Sequence, residues 1–281
     1  MTEGPLLICT DLDRTLIPNG VQPECPGSME LFTKLVNMPN VKLAFVTGRH
    51  RKLVEHAIGE YGLPQPDYVV ADVGTTIYQV YSGDWSVWEQ WERQIGPAWA
   101  GMSGEEIHEL LKGISDLTLQ ETSKQNKFKL SYYVPVMSDK QKLEQIITAR
   151  LNAKGIKATL VWSIDSVLAI GLLDILPAAA TKQHAIEFLM SELSFDVHNT
   201  IFSGDSGNDV SVLASSIKSI LVANATDEVR QEVIRVAEKR GNADAVYLAK
   251  GGFNGMNGYY SAGIIEGVVH YLPQFDSLLR N

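Results

Sequence analysis

The chain has 281 residues, 45% hydrophobic and 20% charged, which is an ordinary globular composition with enough material for one large domain or two. Its net charge of −9 argues against non-specific nucleic-acid binding, which needs a basic footprint. Two cysteines, Cys9 and Cys25, make no disulfide framework, and no apolar run reaches membrane-spanning length. With no basic, apolar leader pattern at its start, the expectation is a cytoplasmic protein with reduced thiols and no membrane partner.

In chain order, short apolar runs end in small or acidic residues: Leu6–Thr10, Val41–Thr47, Tyr68–Val73, Val167–Ile175, Thr200–Gly204 and Ser219–Ala223. Helical periodicity fills most of the gaps, over about 27–37, 50–61, 181–193, 208–215 and 226–239. Strands alternating with helices predict a parallel α/β sheet covered on both faces. Ligands of such sheets bind beyond the carboxyl ends of the strands, where Asp11, Thr47, Gly74 and Asp205 fall. From about Tyr81 to Ser163 the pattern changes. A helix over Ser103–Leu111, an alternating strand over Phe128–Val134, a helix over Ser138–Lys154 and a strand over Lys157–Trp162 predict a small sheet buried on one side. The expected organisation is a discontinuous α/β core, 1–80 and 165–281, with a cap domain inserted at 81–164. The Trp85, Trp88 and Trp91 series is expected to form cap core rather than a sugar-stacking platform.

The chemistry concentrates at two acidic clusters. Asp11-Leu12-Asp13-Arg14-Thr15 follows the first strand, and Gly204-Asp205-Ser206-Gly207-Asn208-Asp209 follows a late one. Carboxylates held together at buried strand ends repel unless a cation lies between them, so a meeting of the two clusters would make a divalent-metal site of hard oxygen ligands. Each residue alone has an ordinary explanation: Asp11, Asn208 and Asp209 as helix caps, Thr47 as a β-branched strand residue, Lys182 as a solvated helix lysine. Their joint occurrence overturns that reading. The six histidines show no ligand spacing, and Gly251-Gly252-Phe253-Asn254-Gly255 lacks the strand-before, helix-after context of a phosphate loop and is expected to be a mobile surface turn.

These segments resemble the motifs of the haloacid dehalogenase-like (HAD) phosphatases. Asp11-Leu12-Asp13-Arg14-Thr15 is similar to the first, Val46-Thr47-Gly48-Arg49 to the second, Lys182 to the third and Gly204–Asp209 to the fourth, all in the family's order. The resemblance implies a Rossmann-like parallel-sheet core with an inserted smaller α/β cap. It also implies Asp11 as nucleophile, Asp13 as acid and base, and Thr47 and Lys182 on the phosphate. Mg2+ would be held by Asp11, Asp205, the Asp13 backbone and Asp209, the last acting through the metal shell or by orienting Lys182. Arg14 departs from the Asn or Gly of many relatives.

A narrower resemblance, to sucrose-phosphate phosphatases, rests on Lys129–Tyr133, Leu173–Pro177, Gly74–Tyr78 and Ser261–Gly267. It implies a sugar-phosphate substrate, sucrose 6-phosphate first, with mannosylfructose phosphate and glucosyl- or mannosyl-glycerate phosphates as alternatives. Thr47, Gly48, Arg49, Gly74, Thr75, Lys129, Ser131 and Asn208 are the expected substrate contacts. A phosphomutase and a sugar-phosphate sensor are the lesser readings, and no oligomeric state is implied.

Overall fold

Leu6, Leu7, Ile8 and Cys9 are apolar without alternation because both faces of their strand are covered. Leu6 and Ile8 join one buried cluster and Leu7 and Cys9 the other, as alternate residues of a central strand must. The structure is a computed structural model that describes residues 4–165 and 168–280. Its first half runs β1 (Leu6–Thr10), α1 (Ser28–Val36), β2 (Val41–Val46), α2 (Arg51–Tyr61), β3 (Tyr68–Ala71), β4 (Thr76–Tyr81), β5 (Asp84–Val87), α3 (Glu89–Ile95) and α4 (Gly104–Leu111). Next come β6 (Thr118–Leu119), β7 (Leu130–Val134), α5 (Lys140–Asn152), β8 (Ala158–Asp165), β9 (Ile170–Pro177) and α6 (Lys182–Glu192). The last part comprises β10 (Thr200–Gly204), α7 (Val210–Leu213), β11 (Lys218–Leu221), α8 (Asp227–Arg240), β12 (Val246–Leu248), α9 (Ser261–Tyr271) and α10 (Asp276–Leu279).

Eight strands form one sheet in the order β12-β11-β10-β1-β2-β3-β4-β5. From β12 to β3 every pair is parallel, and β4 and β5 extend the edge as an antiparallel hairpin. The α/β class follows from this sheet, and its parallel part carries the expected strands with β1 between β10 and β2. The carboxyl ends of β1, β2 and β10 are therefore neighbours, which brings residues 11, 47 and 205 to one edge.

A second, antiparallel sheet has the order β6-β7-β9-β8. Two expectations change here. The run Val167–Ile175, placed among the core strands, contributes β9 to the small sheet, where it pairs with β7 and β8; Val167 itself lies outside the described residues. Apart from Gly171 and Asp174 the run is apolar, which mimics a core strand in sequence although burial alternates over Ile170–Ile175. The hairpin β4–β5 conversely belongs to the large sheet, so sheet membership does not follow the expected boundaries at 80/81 and 164/165. The tryptophans move with it. Trp88 and Trp91 pack on Phe188 of α6 in the core, and Trp85 sits edge-on to Tyr78 of β4; Trp99 belongs to the small sheet's cluster. Among the described residues no helix is long and apolar enough to cross a membrane.

Candidate active site

Asp11 follows β1 directly and is almost wholly buried, as are Lys182, Asp205 and Asp209. Lys182 is the first residue of α6, whose N-cap Thr181 accepts a hydrogen bond from the His184 N–H. Its ammonium donates to Asp11 Oδ1 at 2.8 Å and to Asp209 Oδ1 at 2.7 Å. A cation at a helix N-terminus is unfavourable unless anions face it, and here two do. Burial lowers the lysine's affinity for its proton, but the two carboxylates outweigh this and raise its pKa.

Asp209 has little freedom left. Its Oδ2 accepts from the Asp205 and Ser206 N–H groups and the Ser206 hydroxyl at 3.1–3.3 Å, while Oδ1 takes Lys182. The glycine before Asp205 is required by this packing, since a Cβ on Gly204 would lie 2.8 Å from the Asp209 side chain. Thr15 donates to Asp205 Oδ1 at 3.2 Å and stands 3.5 Å from Asp11 Oδ2, and Arg14 Nε lies 3.4 Å from Asp205 Oδ2.

One oxygen each of Asp11, Asp205 and Asp209 falls within 4.8 Å of the others. Burial, with Asp209 and Asp205 adding to it against the pull of Lys182, pushes Asp11 up to about 7; burial and Asp209 push Asp205 up to about 6. Three buried carboxylates against one buried ammonium leave an excess of negative charge. A hard oxygen set with such an excess fits a divalent cation of the Mg2+ type.

Asp13 is arranged differently. Arg49 grips it as a fork, Nε to Oδ2 at 2.8 Å and Nη2 to Oδ1 at 2.6 Å, and Asn19 Nδ2 donates to Oδ1 at 2.7 Å. Burial would raise the Asp13 pKa, but Arg49, Asn19 and Lys182 outweigh it and hold the carboxyl below its ordinary value. Arg49, expected at the substrate, is thus committed to Asp13. Thr47 is buried at the end of β2 and its Oγ1 accepts from the Arg49 N–H at 3.2 Å, while Gly48 is exposed. Asn208 Oδ1 is 3.5 Å from the Lys182 ammonium. A cleft of about 340 Å³ is lined by Asp11, Asp13, Arg14, Thr47, Gly48, Arg49, Asp205 and Asn208, among others.

The turn after β3 presses against this cleft. Asp72, Val73 and Gly74 have φ of 53°, 63° and 101°, and a β-branched residue in that region stores strain on the order of 1–3 kcal/mol. The turn is held because Asp72 N–H donates to Arg49 O and Val73 N–H to Thr47 O. Gly74 is fixed by contact as well: a Cβ there would lie 2.7 Å from the Thr181 carbonyl carbon. Its own carbonyl accepts from Trp91 Nε1, and the adjacent Thr75 hydroxyl receives Asn126 Nδ2 at 3.0 Å across from the small sheet's side.

On that side the expected polar face exists, but its groups bind one another. Lys129, at 8% exposure, donates to Lys124 O at 2.5 Å and Ser131 Oγ at 2.9 Å. Ser131 donates to Asp174 Oδ1, its cross-strand neighbour on β9, at 2.5 Å. Leu130, Tyr132 and Val134 face the small sheet's apolar cluster, as the alternation of the strand requires. A second cleft, about 890 Å³, opens beside α4 and shares Gln125, Asn126 and Lys129 with this region.

Several contributors escaped the sequence reading: Thr15, Asn19, Asp72, Asp174 as a group of the small sheet's polar face, and Asn224. Thr15 was quoted within its motif without a role. Asn19, Asp72 and Asn224 carried no signal, because each acts through a turn or a loop crossing that no local spacing encodes.

A Rossmann-like sheet with Asp11, Asp205 and Asp209 at its carboxyl edge, and Lys182 bound between two of them, defines a HAD-fold protein. The chain belongs to the sucrose-6F-phosphate phosphohydrolase family, whose model matches residues 4–272. It is 49% identical over 269 residues to a protein of Nitrosococcus oceani that carries only the provisional description of a HAD-like hydrolase, covering 96% of this chain and 72% of that one. It is 28% identical over 276 residues to sucrose-phosphatase 1 of Nicotiana tabacum, covering 95% of this chain but only 59% of the tobacco protein. The fold is similar to that of the sucrose-phosphatase of Synechocystis sp. PCC6803, solved with sucrose and phosphate, at a TM-score of 0.74, 23% identity and coverage of 96% and 98%.

Proposed function

We propose that this protein is a Mg2+-dependent phosphatase of a sugar phosphate, sucrose 6-phosphate foremost, acting through an aspartyl-phosphate on Asp11. The observation that carries the reading is Lys182 bridging Asp11 and Asp209 beside Asp205. A carboxylate suited to act as nucleophile, a fixed cation and an acidic cluster suited to a metal share one locus there, which supports the reading. The family model and the sucrose-phosphatase relative support the substrate.

In this reading Asp11, Asp205 and the Asp13 carbonyl would hold the metal, and Asp209 fixes Lys182 from behind. When bound, Mg2+ supplies Lewis-acid polarisation of the phosphoryl group and offsets the repulsion between phosphate and carboxylates. An Asp11 oxygen attacks phosphorus as the ester P–O bond breaks, and Asp13 gives its proton to the departing sugar oxygen. A water then attacks phosphorus, Asp13 takes the water's proton, and the bond to Asp11 breaks to release phosphate. Arg49 keeps Asp13 ionised in the free protein, which suits the second half. A phosphate dianion entering beside Asp13 raises its pKa, which suits the first. Lys182 and the Thr47 hydroxyl bind the phosphoryl oxygens, Gly48 and Asn208 line their approach, and the region of Gly74, Thr75, Asn126, Lys129 and Ser131 takes the sugar. The small sheet and its helices form a cap over the site.

Phosphate release should be measured with and without Mg2+ across sucrose 6-phosphate, mannosylfructose phosphate, glucosyl- and mannosyl-glycerate phosphates and simple hexose phosphates. Metal-dependent release with sucrose 6-phosphate preferred supports the proposal. Preference for another glycosyl phosphate reassigns the substrate, and no release from any ester overturns the phosphatase reading.

A further inference from the structure

Asp13 must change partners within the cycle proposed above, yet its carboxylate lies on a loop that no strand ladder fixes. Arg49 grips it from one side, and Asn19 Nδ2 donates from the other at 2.7 Å. Asn19 is itself exposed, so something must hold it. Its Oδ1 accepts the backbone N–H of Arg14 at 2.8 Å. Arg14 has φ 58°, a left-handed conformation unfavourable for a long L side chain.

The other end of the Arg14 residue is clamped as well. Asn224 Nδ2 donates to Arg14 O at 2.6 Å, across 210 residues of chain, and Arg14 Nη2 reaches back toward Asn224 O at 3.5 Å. Asn224 is buried, at 3% exposure, and its Oδ1 accepts the N–H of Tyr260 at 3.0 Å. Tyr260 also has positive φ, 51°, and its hydroxyl donates to Gln22 O on the same active-site loop. Behind it the glycine-rich segment 251–258 is not a loose turn. The Glu266 carboxylate, buried on α9, accepts from the N–H groups of Lys250 and Gly251 at 3.0 and 2.8 Å.

We infer that Asn224 is a positioning residue for Asp13, acting through the Arg14 backbone and Asn19, and that the glycine-rich C-terminal loop is the scaffold that holds Asn224 to this task. The chain of contacts is continuous from Glu266 to Asp13. Losing the Asn224 donor frees the Arg14 carbonyl, the left-handed residue relaxes, and Asn19 no longer meets Asp13. The nucleophile is untouched, because Lys182 donates to the Asp11 carboxylate and the Asp11 N–H donates to Ser203 O. This inference rests on the assignment of Asp13 as acid and base.

The test is kcat/KM of Asn224→Ala on the best sugar phosphate and on p-nitrophenyl phosphate, whose leaving group departs without a proton, with thermal melts alongside. Because kcat/KM reports steps up to P–O cleavage, a misplaced acid should cost about tenfold on the sugar ester and less than about twofold on the aryl ester. Equal loss on both esters would overturn the inference. If Asn224→Ala does not fold, Asn19→Ala, exposed and unpacked, must show the same unequal pattern, and its absence would overturn the inference equally. A wild-type protein that cleaves neither ester would instead remove the phosphatase reading.

Discussion

The carboxyl edge of the large sheet and the polar face of the small sheet are built in opposite ways. At the edge, Asp11, Lys182, Asp205 and Asp209 come from three separate strand or helix ends and meet as buried charges, with partners up to 171 residues apart. On the small sheet, Ser131 and Asp174 are cross-strand neighbours, and Lys129 lies just before the same strand. The first arrangement is fixed by parallel strand order and the second by antiparallel register. Side chains at strand ends can change role while the ladder stays intact. Side chains on a strand face move only with the whole register. Under the proposed function the edge carries the chemistry and the face the fit, and substitutions in each should fail differently.

The largest effect is expected at the edge. Asp11→Asn should lower turnover by about 10⁴-fold or more on every ester, since a reaction that loses its nucleophile loses both steps at once. Circular dichroism should stay native, and appreciable residual turnover would dissolve the contrast by removing Asp11 as nucleophile. Lys182→Met comes next and is read in stability. Removing one partner of a buried ion pair costs roughly 3–5 kcal/mol. The sign with pH is definite. Asp11, with its pKa raised by burial to about 7, contributes stability that is complete at low pH and is lost as pH rises through that value. The variant should therefore melt well below the wild type at pH 8 and closer to it at pH 5, in metal-free buffer. A melting difference that is larger at pH 5 would contradict the placement of Lys182 as the compensating charge.

The same contrast explains what could be read in the sequence. Asp11, Thr47 and Asp205 were legible because strand ends in a parallel sheet converge whatever lies between them, so spacing and order alone imply a meeting place; Lys182, which follows β9 of the small sheet, was legible only through the family resemblance. The helix over 103–111 was legible from Ser103, which makes a complete capping box with Glu106. Residues 170–177 were not, since a strand buried between two neighbours reads alike in either sheet. Nor was the hairpin β4–β5, whose half-exposed residues gave no continuous apolar run. The ties of Arg49 and Asn19 to Asp13 were hidden for a further reason. Their partner is a single carboxylate on a loop, and sequence gives loops no register. The small sheet's polar face was legible only as a face: alternation sorted Lys129 and Ser131 from Leu130 and Tyr132, while their ties to Asp174 depend on a strand pairing that begins about 40 residues later in the chain.

The smallest predicted effect sharpens the comparison most. Ser131→Ala deletes a hydroxyl that accepts from Lys129 and donates to Asp174, leaving the two charged groups joined only by their direct 3.8 Å ion pair. The ladder between β7 and β9 does not use this side chain, so the fold should hold to within about 1 kcal/mol of wild-type stability. If the face serves fit, KM for the preferred sugar phosphate should rise about three- to tenfold while kcat and the hydrolysis of p-nitrophenyl phosphate stay near wild type. Such a split would separate recognition from chemistry along the line between the two sheets. A fall in kcat on both esters would place Ser131 in the chemical step and erase that line. Unchanged kinetics on every sugar ester would leave the Lys129–Ser131–Asp174 group a purely structural tie within the small sheet, and the sugar would then have to be read by the Gly74–Thr75 turn and Asn126 across from it.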